Sequence, residues 1–143
     1  MEYKLPFSQY NKALRKNKLL GLKCNDCGKI TCPPTMACSK CAGTNMEVLE
    51  LSGSGKIVTL STVYVAAKGR EAELPYTVAL VELDEGPWIM GNLIDIDPRK
   101  AGMDLIGRKT TLSFKVCPAD EFSAGVAAAR PASARCDRAP AVR

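Results

Sequence analysis

The sequence contains no histidine among its 143 residues. Histidine is the commonest general base, the usual partner of a nucleophilic cysteine or serine, and the commonest ligand of an open catalytic zinc site. Its absence argues against all three kinds of catalytic centre. We therefore expect a protein that is not an enzyme by itself.

Long apolar runs are missing as well. No stretch approaches the roughly 20 consecutive apolar residues that a membrane-spanning helix needs. Residues 1–8 show neither the apolar core nor the cleavage site of a secretory signal. We expect a cytoplasmic protein without a membrane partner.

The most informative feature that is present is a pair of Cys-x-x-Cys sequences separated by ten residues. The four cysteines concerned are Cys24, Cys27, Cys38 and Cys41. Four thiolates at this spacing close a tetrahedral site around one zinc ion. We predict one structural Zn²⁺ bound by these cysteines in a zinc ribbon, with a glycine following each pair, Gly28 and Gly43, to relax the backbone. Rubredoxin-like iron accepts the same sulfurs, and disulfides would need an oxidising compartment.

The charge distribution points to the first part of the chain. Residues 1–41 carry eight Lys/Arg against two acids, whereas residues 42–116 carry eight against ten. One zinc ion with four thiolates brings the formal net charge of +5 to about +3. Such a basic N-terminal part suits an anionic partner surface or a phosphate-bearing ligand, and equally an ordinary solvated helix face.

A short amphipathic helix is predicted over residues 8–18, with Pro6 and Ser8 at its start. An isolated helix of this length is marginal in water, so it must pack on a surface. We expect that surface to belong to a partner. The predicted contacts are the apolar residues Tyr10, Ala13 and Leu14, with Arg15 and Lys16 at the rim.

The remaining pattern indicates β-structure. Strands are predicted at residues 19–23, 56–66, 76–83, 88–94 and 108–116, with a hairpin turn at 84–86 and a helical turn near 98–103. Ser52-Gly53-Ser54-Gly55 favours a bulge or bend at the start of a long curved strand. This order fits a small Greek-key barrel of the OB type. Residues 130–135 are the candidate for its fifth strand.

The predicted fold class is thus mainly β, with an N-terminal helix, a rubredoxin-like four-cysteine zinc ribbon and then a small OB-fold barrel. The expected divisions are a helical arm over 1–20, the ribbon over 21–47, the barrel over 48–122, and a tail over 123–143 that is either a last strand or disordered.

The combination of motifs resembles a known family. Leu-Leu-Gly-Leu-Lys-Cys-Asn-Asp-Cys-Gly, Cys-Ser-Lys-Cys, Leu-Ser-Gly-Ser-Gly-Lys-Ile and Pro-Tyr-Thr-Val-Ala-Leu-Val-Glu-Leu follow in the order seen in the acyl-CoA-associated zinc-ribbon and OB-fold proteins, long catalogued as a domain of unknown function. The resemblance covers about residues 5–122. It implies a small non-catalytic subunit of a thiolase-superfamily enzyme, such as the thiolases and retro-aldolases of aromatic or sterol degradation.

Further expectations follow from that resemblance. The partner would be a thiolase-like catalytic subunit in a hetero-oligomer, α2β2 or larger, that cleaves a C–C bond of an acyl-CoA. A CoA ester would be a ligand shared with that partner. Arg70, Tyr76 and Trp88 are our candidates for the CoA-ester entrance, where an arginine pairs with a phosphate. A MaoC-like enoyl-CoA hydratase is the alternative partner.

Two other function classes are compatible with parts of this sequence. OB barrels also bind single-stranded nucleic acid by stacking bases on aromatic residues, and Tyr64, Tyr76 and Trp88 offer such residues. The chain has only eight aromatics, however, and the barrel region is slightly acidic, which disfavours nucleic acid. A free-standing enzyme would have to use Cys117 or a carboxylate pair. Lone cysteines such as Cys32 and Cys117 are more often packed than reactive, and Cys136 lies in the tail.

Overall fold

A computed structural model describes residues 3–66, 68–69, 71–116 and 129–136, with the backbone alone for 115–116 and 129–136. The helix is α1 (Phe7–Arg15), and the strands are β1 (Leu19–Cys24), β2 (Ile30–Thr31), β3 (Met46–Leu51), β4 (Ser54–Val63), β5 (Tyr76–Leu83), β6 (Trp88–Ile94), β7 (Lys109–Val116) and β8 (Ala129–Cys136). Single 3-10 turns lie at Glu71–Glu73, Pro98–Lys100 and Met103–Leu105. The mainly β fold class is confirmed.

The helix is shorter than predicted and is packed on its own chain. It follows Pro6 without a side-chain cap, so Ser8 is inside the helix, and the chain turns away at Asn17, which has a φ of 58°. Tyr10 and Leu14 are only 8% and 4% exposed, within the chain's own core. The prediction that these two side chains contact a partner is therefore wrong.

The ribbon is a three-stranded sheet in the order β2-β1-β3. Antiparallel pairing joins β1 to β3 along its whole length, from Leu19 opposite Leu51 to Cys24 opposite Met46. Residues 48–51, which the sequence assigned to the barrel, thus complete the sheet of the ribbon. The mixture of apolar and polar residues in β3 is compatible with either sheet, and only the pairing decides between them.

The barrel is closed, in the order β4-β5-β6-β8-β7. Every neighbouring pair is antiparallel except β6 with β8, which is parallel. The long strand β4 pairs with β5 and, at Ser54–Lys56, also with β7, and a register shift near Val58 helps it to curve. Gly55 lies where β4 meets β5, and a Cβ there would collide with the Glu82 carbonyl oxygen.

The core is continuous through all three parts of the molecule. One cluster of buried side chains joins Leu14 of the helix, Leu22 of the ribbon, and Ile57 and Val81 of the barrel. The helix contacts β1 of the ribbon and both β7 and β8 of the barrel. None of the helices in the described ranges has the length and apolar character needed to cross a bilayer.

Candidate metal centre and the adjoining cleft

The two Cys-x-x-Cys turns bring their four sulfur atoms together. All four lie within 4.8 Å of one another. The Sγ atoms of Cys24 and Cys41 are 3.6 Å apart, and those of Cys27 and Cys38 are 3.5 Å apart. A tetrahedral zinc ion with Zn–S bonds of about 2.3 Å separates its sulfur ligands by about 3.8 Å. The cluster therefore has the donor set and approximate size of a four-thiolate zinc site.

Backbone amides prepare this cluster for a cation. The backbone N–H of Lys40 points at the Sγ of Cys38 from 3.4 Å. The N–H of Cys41 contributes most to lowering the pKa of Cys38 to about 6, and the N–H of Lys40 adds to it. The N–H of Gly43 lowers the pKa of Cys41, but hydrogen bonding with the sulfurs of Cys24 and Cys27 outweighs it and raises that pKa to about 12. A metal ion would displace the proton shared among these sulfurs.

The turns around the cluster need unusual backbone conformations. Gly28 has a φ of 73°, as the sequence suggested. In the second turn the residue with positive φ is Ala42, at 57°, rather than Gly43. Gly43 is needed for space, since a Cβ there would lie 2.6 Å from Oδ2 of Asp26.

A small polar network joins the two turns outside the sulfur atoms. The side chain of Asn45 donates to Asp26 at 3.3 Å and accepts from Asn25 at 3.3 Å. The backbone N–H of Asn25 donates to the carbonyl oxygen of Asn45 at 2.9 Å. These contacts hold the first turn against the chain that leaves the second one.

A metal ion bound in this centre would have a structural role. Four cysteine ligands fill the coordination sphere of zinc, so a bound ion has no position for an activated water. Within the described ranges, no other group of three or more Cys, Asp or Glu side chains is close enough to hold a metal.

Cys32 is separate from the cluster. It is 7% exposed, and its Sγ donates to the carbonyl oxygen of Leu20 at 3.7 Å and lies 4.0 Å from the Tyr10 hydroxyl. Burial raises the pKa of Cys32 to about 11 and also raises the pKa of Tyr10. Both groups are thus protonated at neutral pH and have the character of packed core groups. Cys117 lies outside the described residues.

The candidates for the CoA-ester entrance do not converge. Tyr76 begins β5 and Trp88 begins β6, and the pairing of Thr77 with Leu93 and of Glu82 with Trp88 places them at opposite ends of the hairpin. At 3.3 Å per residue they are about 20 Å apart. They therefore do not lie side by side, and their role at a CoA-ester entrance stays a prediction; Arg70 lies outside the described residues.

Unlike the buried Tyr10 and Leu14, the helix residues predicted at the rim of the contact lie at the surface. Arg15 and Lys16 are exposed, and Ala13 is half-buried. The helix also leaves Phe7 66% exposed, with Tyr3 before it at 55%. The sequence analysis did not single out Phe7, because it began the helix at residue 8.

A cleft between ribbon and barrel was not anticipated. Its volume is about 550 Å³, and it is lined by residues 28–32 and Ser39 of the ribbon and by residues 85–88 of the barrel. Glu85, which belongs to the hairpin turn predicted at 84–86, lines this cleft and accepts a 2.7 Å hydrogen bond from the backbone N–H of Ser52. The two walls are far apart in the chain, so no local pattern could indicate the cleft.

Comparison with known proteins identifies the family. Residues 12–47 match the family model "ChsH2, rubredoxin-like zinc ribbon domain", and residues 49–114 match "ChsH2, C-terminal OB-fold domain". A "DUF35 domain-containing scaffold protein" of Pyrococcus furiosus is 37% identical over 92 residues, which are 63% of this chain and 67% of that protein. The chain belongs to the DUF35 family. The predicted resemblance, zinc ribbon and OB fold are confirmed.

Other DUF35 relatives are named as scaffolds or subunits. A scaffold protein of Methanocaldococcus jannaschii is 42% identical over 81 residues, 56% of this chain but only 57% of the relative. "Benzoylsuccinyl-CoA thiolase subunit BbsA" of Thauera aromatica is 31% identical over 75 residues, 52% of this chain and 51% of the relative. The solved structure "Ltp2-ChsH2(DUF35) aldolase" has a chain with a TM-score of 0.67 at 26% identity, covering 90% of this chain and 92% of its own.

Proposed function

We propose that this chain is a zinc-binding, non-catalytic subunit of a thiolase-superfamily enzyme that acts on an acyl-CoA. The observation that carries the proposal is the likeness to the DUF35 chain of an aldolase over nine-tenths of both chains. A relative named as a thiolase subunit points the same way. In this proposal the partner supplies the nucleophile and the bases for C–C cleavage.

The zinc ion would be held by Cys24, Cys27, Cys38 and Cys41. Bound there, it would supply folding free energy to the ribbon and no reaction chemistry. The lack of histidine and the filled coordination sphere support this division of labour. The chain would contribute assembly and would shape the CoA-ester site of the partner, in an α2β2 or larger complex.

The test is native mass spectrometry of the untagged complex, purified from its source. We expect this chain in fixed stoichiometry with a thiolase-type subunit, one zinc ion per copy, and CoA-ester cleavage only in fractions that contain both subunits. An isolated chain that cleaved a 3-oxoacyl-CoA by itself would contradict the proposal. A hydratase-type subunit in the complex would replace the thiolase by the alternative partner.

The nucleic-acid alternative is disfavoured by the same geometry that separates the entrance candidates. Tyr64 follows β4 directly, near Tyr76, while Trp88 lies at the far end of the hairpin. Bases stacked on one aromatic platform would need these side chains together. Retention on single-stranded DNA that falls with salt would revive this alternative.

A further inference from the structure

The cleft between ribbon and barrel has one aromatic wall. Trp88, the only tryptophan of the chain, is 51% exposed at the start of β6. Facing elements of the ribbon contribute Lys29 and Thr31, and the hairpin turn of the barrel contributes Glu85. Concave sites at the junction of two structural units are common binding sites.

Two polar atoms in the lining residues lack partners. Oγ1 of Thr31 and Oε2 of Glu85 are buried and have no hydrogen-bond partner among the described residues. Buried polar atoms are normally paired, and an unpaired one costs stability. Glu85 is held in this place because its other oxygen accepts the backbone N–H of Ser52. The carboxylate of Glu85 thus belongs to the wall of the cleft, and the protein compensates only one of its two oxygens.

The charge of the cleft favours a cation. Burial acts to raise the pKa of Glu85, but backbone hydrogen bonds from Ser52 and Glu85 prevail and lower it, so the carboxylate is ionised at neutral pH. The lining residues Gly28 and Ser39 directly follow the cluster cysteines Cys27 and Cys38, and four thiolates on one zinc ion leave a charge of about −2. Lys29 offsets only part of this negative charge.

An exposed indole next to a carboxylate is a suitable site for a guanidinium group. Arginine stacks on aromatic faces, carries its charge at every relevant pH, and is more weakly hydrated than lysine. We propose that the cleft receives an arginine side chain from a loop of the partner subunit, stacked on Trp88 and electrostatically paired with Glu85. The identity of the partner rests on the proposed function, whereas the preference of the cleft for a guanidinium does not.

The only tryptophan makes the proposal directly measurable. The full chain, loaded with zinc, is titrated with acetyl-Gly-Arg-Gly-amide while Trp88 emission is followed. The matched neutral peptide carries citrulline in place of arginine. We expect a saturable change with the arginine peptide and at least about tenfold weaker binding of the citrulline peptide, as for a hydrogen bond with a charged group. Added salt should weaken the first response.

Glu85→Gln is the decisive variant, since an amide oxygen can still accept the N–H of Ser52. We expect this variant to bind the arginine peptide about tenfold more weakly than the unmodified chain, or more weakly still. Asp104→Asn is the control, because Asp104 is an exposed carboxylate that pairs with Arg108 at 3.4 Å and does not line the cleft; it should leave binding unchanged. Zinc content and circular dichroism verify that both variants are folded.

Several results would overturn the proposal. The proposal fails if the arginine and citrulline peptides bind equally well, or if Trp88 emission does not respond up to the solubility limit of the peptide. It also fails if acetyl-Gly-Glu-Gly-amide binds more tightly than the arginine peptide. That last result would mean that the cleft binds anions through Lys29. A native complex whose affinity is unchanged by Glu85→Gln with Trp88→Ala would refute the partner arginine. If the arginine peptide binds but no thiolase-type subunit is found, the proposed function fails and the preference of the cleft stands.

Discussion

At the residue scale, backbone amides and sulfur atoms together determine the properties of the metal centre. N–H groups of the second turn lower the pKa of Cys38 to about 6, which favours the thiolate form that binds a metal. The neighbouring sulfur atoms act in the opposite direction on Cys41 and raise its pKa to about 12. Zinc binding requires thiolates and therefore releases protons, and it is coupled to folding because the four sulfurs converge only in the folded turns.

Loss of any one cluster cysteine should release the metal. Cys24→Ser, Cys27→Ser, Cys38→Ser and Cys41→Ser should each lose zinc and unfold the ribbon, since a closed site contributes its binding free energy to folding. Cys32→Ser is a matched control, because Cys32 is buried nearby but outside the cluster. Elemental analysis should give one zinc per chain for the control. Full zinc content in any of the four variants would refute the assignment.

Cys32 should be inert to alkylation in the native protein. Burial, with the nearby charge of Glu85, raises its pKa from 9.0 to about 11, and only the thiolate is a nucleophile. Because the folded-state pKa is raised, its contribution to stability is complete below pH 9 and is lost as the pH rises through about 11. In a Cys117→Ser, Cys136→Ser background, iodoacetamide at pH 8 should label Cys32 only after unfolding in urea. Equal rates in native and unfolded protein would contradict this.

At the element scale, α1 stabilises its own chain through one face and leaves the other exposed. Leu14→Ala should lower the free energy of unfolding by about 2–5 kcal/mol, because it removes a buried side chain. Phe7→Ala should change it little, since Phe7 is 66% exposed. Urea denaturation measures both variants. If the helix binds a partner, the order of the two variants should be reversed when affinity for the partner is measured. Phe7→Ala should then weaken the complex although it leaves the stability of the free chain unchanged.

The start of β4 depends on the absence of a side chain at Gly55. A Cβ at this position would overlap the carbonyl oxygen of Glu82 on β5, and that atom is backbone and cannot rotate away. Gly55→Ala should destabilise the barrel by about 1–3 kcal/mol, as overpacking does. Gly69→Ala is a suitable control because nothing lies within 4 Å of its ideal Cβ, although its φ of 88° adds some strain. Comparable urea midpoints for the two variants would contradict the role of Gly55.

Elements defined by local sequence could be predicted, and those defined by distant contacts could not. β5 and β6 begin and end at the predicted residues because their alternating pattern is interrupted by Asp84-Glu85-Gly86. β3 was assigned to the wrong sheet because its partner β1 is more than twenty residues away. Similarly, the apolar face of α1 was evident from the sequence, but its occupant, the chain's own core, was not.

At the scale of the whole molecule, ribbon and barrel are parts of one folding unit. Buried side chains from the helix, the ribbon and the barrel form one cluster, and the helix touches strands of both sheets. The cleft lies at this junction, and its two walls come from residues more than forty positions apart in the chain. Its position therefore depends on the ribbon being folded, which links the metal centre to the proposed binding surface.

Removal of zinc should therefore destabilise the entire chain in a single step. If one core joins the three parts, a chelator that empties the four-cysteine site lowers the melting temperature of the barrel as well as that of the ribbon. Trp88 emission reports unfolding of the barrel hairpin, and far-ultraviolet circular dichroism reports unfolding of all strands. The two thermal transitions should coincide when zinc is bound, and both should shift to the same lower temperature when zinc is removed. A Cys24→Ser variant should show the lower melting temperature of the zinc-free chain whether or not a chelator is added. A zinc-free chain that keeps an unshifted Trp88 transition would mean that the barrel folds independently, and the shared core would then contribute little to cooperativity.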